Sequence, residues 1–164
     1  MLKKISLILF LILFSANAYS AGSGGDSDRE TKVKSNYDKA VSHIKSAKKL
    51  EKKGKIVKAN KKYAKAQKLL LKSNLKKPNR ADTLNYLGFT TRKLGDYKNG
   101  EKYYLMGLKI DPNHTGINEY LGELYVATNR LDLAKQRLNV LESCDCKEYV
   151  ELKDIINGVK ESKY

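Results

Sequence analysis

Residues 81–113 read ADTLNYLGFTTRKLGDYKNGEKYYLMGLKIDPN, and this stretch decides the fold. It consists of two runs on either side of Gly95, and each run spaces small or apolar residues for one face of a helix. These residues are Leu84, Leu87 and Thr91 in the first run and Gly100, Tyr104 and Gly107 in the second. Asp111-Pro112 ends the second run, because proline cannot continue a helix. The stretch therefore predicts a helical hairpin with an apolar face that a neighbour must cover.

The same pattern recurs at an interval of 34 residues. The matches are Asn85-Tyr86-Leu87-Gly88 with Glu119-Tyr120-Leu121-Gly122, Gly100 with Ala134 and upstream Ala66, Tyr104 with Leu138 and upstream Leu70, and Pro78 with Pro112. A fixed period of this length is typical of supersecondary units that stack on one another. Because each unit covers its neighbour's apolar face, the chain is predicted to form a solenoid.

This pattern resembles the tetratricopeptide repeat. The matching positions, predicted to pack the repeats, are Leu87, Gly88, Gly100, Tyr104, Pro112, Leu121, Gly122, Tyr125, Ala134 and Leu138. The first copy has Thr91 at the family's aromatic position, and neither copy has its Trp. The resemblance covers residues 81–142 and, with fewer matches, 47–80. It implies an all-α helix-hairpin solenoid of about three repeats, with two regular repeats over 78–143 and a C-terminal capping helix.

The upstream hairpin, residues 32–77, carries the excess charge of the chain. The formal net charge is +15, and this segment holds 17 Lys and no Arg against Asp38 and Glu51 alone. We place its turn at Gly54, with helices from about Lys32 to Lys53 and from about Lys55 to Asn74; a helix end near Asn60 would exclude this. The alternative puts Gly54 at the Leu-Gly glycine of the repeat. Whether the lysines serve a function or reflect composition stays open.

Residues 144–164 are predicted to form a Cys-x-Cys turn and the capping helix. That helix, from Lys147 to Lys160, has one apolar side: Tyr149, Leu152, Ile155, Ile156 and Val159. The run from Cys144 to Leu152 resembles the tail of small exported proteobacterial tetratricopeptide proteins, although its Cys pair is spaced more tightly. In an oxidising compartment the Cys144–Cys146 pair favours a local disulfide. A Cu(I) site, a redox role and intermolecular pairing are the alternatives.

The N-terminus has the pattern of a secretory signal peptide. Lys3 and Lys4 precede an apolar run of about ten residues, shorter than the roughly 20 that span a bilayer, and Ala16-x-Ala18 fits signal peptidase. We predict cleavage after Ala18, an alternative being an uncleaved anchor, and a flexible linker over residues 19–31. The expected location is the periplasm, which removes nucleic acid from the expected partners despite the positive charge.

No motif points to catalysis or a cofactor: the sequence has no Gly-rich phosphate loop, nucleophile elbow or paired-His metal motif. We therefore expect a monomeric, non-catalytic protein-interaction module, an adaptor or assembly factor, with no cofactor or metal. The family resemblance implies a concave groove lined by the first helix of each repeat. Outward positions on those helices, the candidates for contact with a partner peptide or helix, are Asp82, Asn85, Phe89, Arg92, Glu119 and Glu123.

Two other functions remain open at this point. One is a soft-metal or thiol carrier that uses Cys144 and Cys146. The other is peripheral contact of the Lys-rich hairpin with an anionic envelope surface, or with an acidic partner protein, which salt would weaken.

Overall fold

The computed structural model describes residues 34–162, and within that range every regular element is an α-helix. The helices are α1 (Asn36–Glu51), α2 (Ile56–Lys76), α3 (Ala81–Lys93), α4 (Tyr97–Ile110), α5 (Thr115–Ala127), α6 (Leu131–Leu141) and α7 (Lys147–Ile156). Consecutive helices pair as α1–α2, α3–α4 and α5–α6, and α7 packs on α5 and α6. The predicted signal peptide (1–18) and linker (19–31) lie outside the described residues.

The Lys-rich upstream hairpin, which we call the basic hairpin, turns at Gly54. The φ angle of Gly54 is +68°, a conformation in which a side chain would be strained. Helix α1 begins with a capping box, in which the Ser35 hydroxyl accepts from the Asp38 amide at 3.1 Å and the Asp38 carboxylate accepts from the Ser35 amide. Helix α2 runs through Asn60 without interruption. The long-hairpin interpretation is therefore correct, and Gly54 does not take the helix-interior position of the alternative.

The first regular repeat holds its two helices close together through glycine. A Cβ built on Gly88 of α3 would lie 2.5 Å from Cε1 of Tyr104 on α4. A Cβ on Gly100 of α4 would lie 3.2 Å from the Gly88 carbonyl oxygen. Tyr104 is fully buried, and its ring packs against Gly88. The close crossing of the two helices thus depends on the absence of a side chain at Gly88, where the Tyr104 ring packs, and at Gly100, which faces the backbone of α3.

In the second regular repeat, the glycine of the first helix packs against a side chain of the capping helix. A Cβ on Gly122 would lie 2.5 Å from the Leu152 side chain of α7, whereas Leu138 is only half-buried. The capping helix is shorter than expected, because it ends at Ile156 and the chain turns at Gly158, where φ is +71°. The expectation that Val159 joins its apolar side is wrong: Val159 is 77 % exposed.

The described residues thus form an all-α helix-hairpin solenoid of three hairpins with a capping helix. Between residues 34 and 162, no helix combines the length and the apolar composition needed to cross a bilayer.

Candidate protein-binding face

The first helices of the three hairpins, α1, α3 and α5, contact one another in that order. We call the surface that they form the inner face. The sequence-predicted groove residues all lie on α3 and α5, which contribute the middle and the C-terminal side of this face.

Five of the six predicted groove residues are buried. The expectation that they point outward is wrong for Asn85, Phe89, Arg92, Glu119 and Glu123. The physical reason is that α3 contacts both α1 and α5: Arg92 pairs with Glu123 of α5, and Phe89 packs against side chains of the neighbouring helices. A role for them in binding a partner stays a prediction.

An ion pair joins α3 to α5 in the interior. Arg92 donates from Nη2 to Glu123 Oε2 at 2.9 Å, and each side chain is 1 % exposed. Arg92 also donates from Nη1 to the carbonyl oxygen of Tyr120 at 3.4 Å. Burying two charges is costly unless they neutralise each other, so this pair fixes which residues of the two helices face one another.

Aromatic rings and a lysine extend this cluster to α1 and α2. The Phe89 ring lies 5.7 Å from that of Tyr63 and 5.1 Å from that of Tyr120, measured between centroids. Lys48 Nζ stands 4.6 Å from the Phe89 centroid and donates to the Tyr120 hydroxyl at 3.1 Å. Burial raises the pKa of Tyr120, with the Glu119 carboxylate adding to the effect, so its hydroxyl keeps its proton. The cluster therefore holds α1, α2, α3 and α5 together.

Asp82 is the exception among the predicted residues, since it is exposed. Its carboxylate lies 3.3 Å from Nε2 of His114, and the other ring nitrogen of His114 accepts from the Ile117 amide at 3.2 Å. His114 therefore caps α5 and links it to the start of α3.

An open groove lies at the α1 end of the inner face. It measures about 390 Å³, and its lining residues, mostly one face of α1, are Lys34, Tyr37, Asp38, Val41, Ser42, Lys45 and Tyr86. The rings of Tyr37 and Tyr86 are both half-buried, with centroids 5.9 Å apart. Burial, together with the Asp82 carboxylate, raises the pKa of Tyr37 to about 12, so the ring stays neutral.

The sequence did not single out this groove. The apolar spacing of α1 predicts a core stripe of Tyr37, Ala40, Val41, Ile44, Ala47 and Leu50. The structure buries Ala40, Ile44 and Ala47 as predicted, whereas Tyr37 and Val41 are only half-buried and line the groove. The sequence does contain a pattern that indicates the groove. Tyr37, Val41 and Lys45 follow one another at four-residue intervals, so they lie together on a side of α1 next to its buried side.

The cysteines close a short ring before the capping helix. Cys144 and Cys146 are disulfide-bonded, with Cα atoms 5.1 Å apart. As a disulfide, the sulfurs offer no thiolate to a soft metal. Among residues 34–162, no three His, Cys, Asp or Glu side chains are grouped as metal ligands would be.

No family model matches the sequence, and no curated protein matches it significantly. The solved structures that are similar to it include two tetratricopeptide domains. The first TPR of Spaghetti (RPAP3), bound to the HSP90 peptide SRMEEVD, is 19% identical, with a TM-score of 0.47 over 77% of this chain and 98% of that one. The Arabidopsis OM64 TPR domain is 14% identical, with a TM-score of 0.48 over 76% and 99% of the respective chains.

Proposed function

We propose that this chain is a non-catalytic protein-interaction module that holds an extended segment of a partner protein in the groove beside α1. The observation that carries this is the open groove itself, about 390 Å³ in volume and lined by the half-buried rings of Tyr37 and Tyr86. Concave sites with apolar walls and a few polar groups are the usual binding sites of proteins. Tyrosine supplies a large contact area with few rotatable bonds, so ordering it costs little entropy.

The chemistry of the groove favours an acidic segment with an apolar side chain. Lys34 and Lys45 are exposed on its rim, while the one carboxylate in the lining, Asp38, already accepts from Ser35. The guanidinium carbon of Arg80 lies 5.4 Å from the Tyr37 ring and adds positive charge nearby. The rings would take the apolar side chain, and the lysines would attract the acidic residues beside it.

The buried cluster around Phe89 has a supporting role in this proposal. Arg92 and Glu123 neutralise each other, and Lys48 bridges to Tyr120. Their contacts hold α1 against α3 and α5, so that the groove exists before a partner arrives. Such preorganisation lowers the entropy that binding costs.

Selection of peptides from a random display library on the full chain tests the proposal. We expect the enriched peptides to combine acidic residues with an aromatic or aliphatic residue. Their affinity should fall at least tenfold in the double variant Lys34→Glu, Lys45→Glu, since close like charges cost several kcal/mol. The matched control is Lys98→Glu, Lys102→Glu on α4, which changes the net charge equally and leaves the groove intact.

Peptides that bind both variants as well as the wild type would place the binding site elsewhere. Failure to enrich any peptide would remove the proposal of segment binding.

We also propose that the chain acts in the periplasm. The support is the sequence pattern of residues 1–18, with basic Lys3 and Lys4 before an apolar run and a small-residue cleavage site. Mass spectrometry of the protein purified from an envelope fraction should give a chain that begins at Tyr19. An intact N-terminus in a cytoplasmic fraction would contradict this.

A further inference from the structure

Helix α2 carries a continuous row of positive charge that the groove does not use. Its lysines are Lys58, Lys61, Lys62, Lys65, Lys68, Lys72 and Lys76. At 3.6 residues per turn they fall within about 120° of the helix circumference, and the row is about 27 Å long. We call this row the lysine stripe. The opposite side of α2 holds the buried residues Ala59, Tyr63, Ala66 and Leu70, so the stripe faces away from the core.

Exposed aliphatic side chains run along one edge of the lysine stripe. Val57 is 71 % exposed, Leu71 41 % and Leu75 84 %. On the helix they lie within about 40° of one another and adjoin Lys68 and Lys61. Helix α2 therefore presents charge and apolar surface side by side to solvent.

The positive charge of the stripe is not neutralised within the described part of the chain. None of its seven lysines forms an ion pair or a hydrogen bond there, and α2 contains no Asp or Glu. Neighbours at three- and four-residue spacing repel one another, which destabilises a helix. Lys55 and Lys58 also stand at the N-terminus of α2, where the helix dipole disfavours cations. An anionic surface would relieve all of these costs.

We propose that the lysine stripe and its aliphatic edge dock this protein on the surface of an anionic phospholipid bilayer. Clusters of four to eight basic residues on an amphipathic helix are what anionic headgroups attract. Aliphatic side chains beside them enter the headgroup boundary and add hydrophobic free energy.

The composition of the stripe favours lipid over an acidic protein. Every basic residue in it is lysine, which acts as a flexible point charge, whereas planar bidentate recognition of protein carboxylates is the property of arginine. Lysine is also depleted at the desolvated core of protein–protein interfaces, where arginine is enriched. A mobile, laterally uniform layer of anionic headgroups needs no fixed geometry and suits lysine.

This surface is separate from the partner groove. The groove is lined by α1 and Tyr86, and α2 contributes none of its residues. The two sites can therefore be tested by different variants, and loss of one leaves the other intact.

Sedimentation of the full chain with vesicles tests the proposal. We expect binding to phosphatidylcholine vesicles that contain phosphatidylglycerol, weakening as NaCl rises, and much weaker binding to phosphatidylcholine alone. The triple variant Lys58→Gln, Lys65→Gln, Lys72→Gln removes the centre of the stripe and should lower the partition coefficient by roughly 100-fold. The double variant Val57→Ser, Leu75→Ser should lower it by roughly tenfold while keeping the charge.

The matched control is Lys98→Gln, Lys102→Gln, Lys109→Gln, which removes the same charge from exposed positions of α4. It keeps residues 1–33 unchanged, as the stripe variant does, so any contribution of that segment is common to both. Circular dichroism must show equal helix content in all variants. The proposal predicts near-wild-type binding for this control.

Three results would overturn the proposal. One is equal loss of binding in the stripe variant and the α4 control, which would mean that net charge alone is responsible. Another is equal binding to vesicles with and without phosphatidylglycerol. The third is stripe-dependent binding to polyglutamate with no binding to anionic vesicles, which would assign the stripe to an acidic polypeptide.

Discussion

Gly88 and Tyr104 set the distance between α3 and α4. We expect Gly88→Ala to lower the free energy of unfolding by about 1–3 kcal/mol, because the new methyl group would lie 2.5 Å from the Tyr104 ring. Urea unfolding followed by circular dichroism measures the change.

The control for Gly88→Ala is a double-mutant cycle with Tyr104→Leu, the residue that position 138 carries one repeat later. A smaller side chain at 104 makes room for the methyl group, so we expect the two changes to be coupled. Additive effects would show that crowding at this crossing is not the cause.

The Arg92–Glu123 ion pair also makes a measurable contribution to the free energy of unfolding. Arg92→Met should lower the free energy of unfolding by about 3–5 kcal/mol, because it leaves the Glu123 carboxylate buried without its cation. The double variant Arg92→Met, Glu123→Met should recover most of the loss, since two apolar side chains of similar volume can replace a buried pair. If the double variant is as unstable as the single one, the pair is not the source of the stability.

Sequence patterns capture these two features unequally. Gly88 and Tyr104 belong to size classes that recur with the repeat, so their packing role is visible without coordinates. Arg92 and Glu123 lie 31 residues apart on different helices, and no local sequence pattern indicates that they form an ion pair. Polar residues on a first helix look solvent-facing, and only the approach of α3 to α5 shows that they are buried.

The capping helix is the element whose contribution is easiest to isolate. Leu152 is fully buried against Gly122, so Leu152→Ala should cost about 2–5 kcal/mol of unfolding free energy. Val150 lies on the exposed side of the same helix, and Val150→Ala should change stability by less than about 0.5 kcal/mol. Equal effects in a thermal unfolding series would mean that α7 does not cover the last repeat through Leu152.

Element boundaries were predictable where turn chemistry agreed with apolar spacing. Both signals place the turn of the basic hairpin at Gly54, and the structure agrees. They conflict at the C-terminus, where Val159 continues the apolar spacing of α7 but Gly158 is a helix stop. The stop signal prevails there, because glycine adopts the left-handed conformation that ends the helix without steric cost, and Val159 is left exposed.

Across the whole chain, charge is concentrated in one hairpin. Residues 32–77 hold 17 of the 33 basic residues and two of the 18 acidic ones. Repulsion among these lysines destabilises α1 and α2 and is screened by salt. We expect hydrogen exchange at α2 amides to slow as NaCl rises, whereas exchange at α5 amides should change little. A uniform response of both helices would show that salt acts on the whole fold.

The packing of α7 on α5 also bears on whether copies of the protein can associate end to end. If the last hairpin of a solenoid left its apolar face uncovered, the first hairpin of a second molecule could pack on it as a further repeat would. Head-to-tail contacts of this kind between identical molecules build open filaments. Leu152 occupies that contact over Gly122. We therefore expect the capping helix to block the stacking of a second copy on the C-terminal end of the third hairpin.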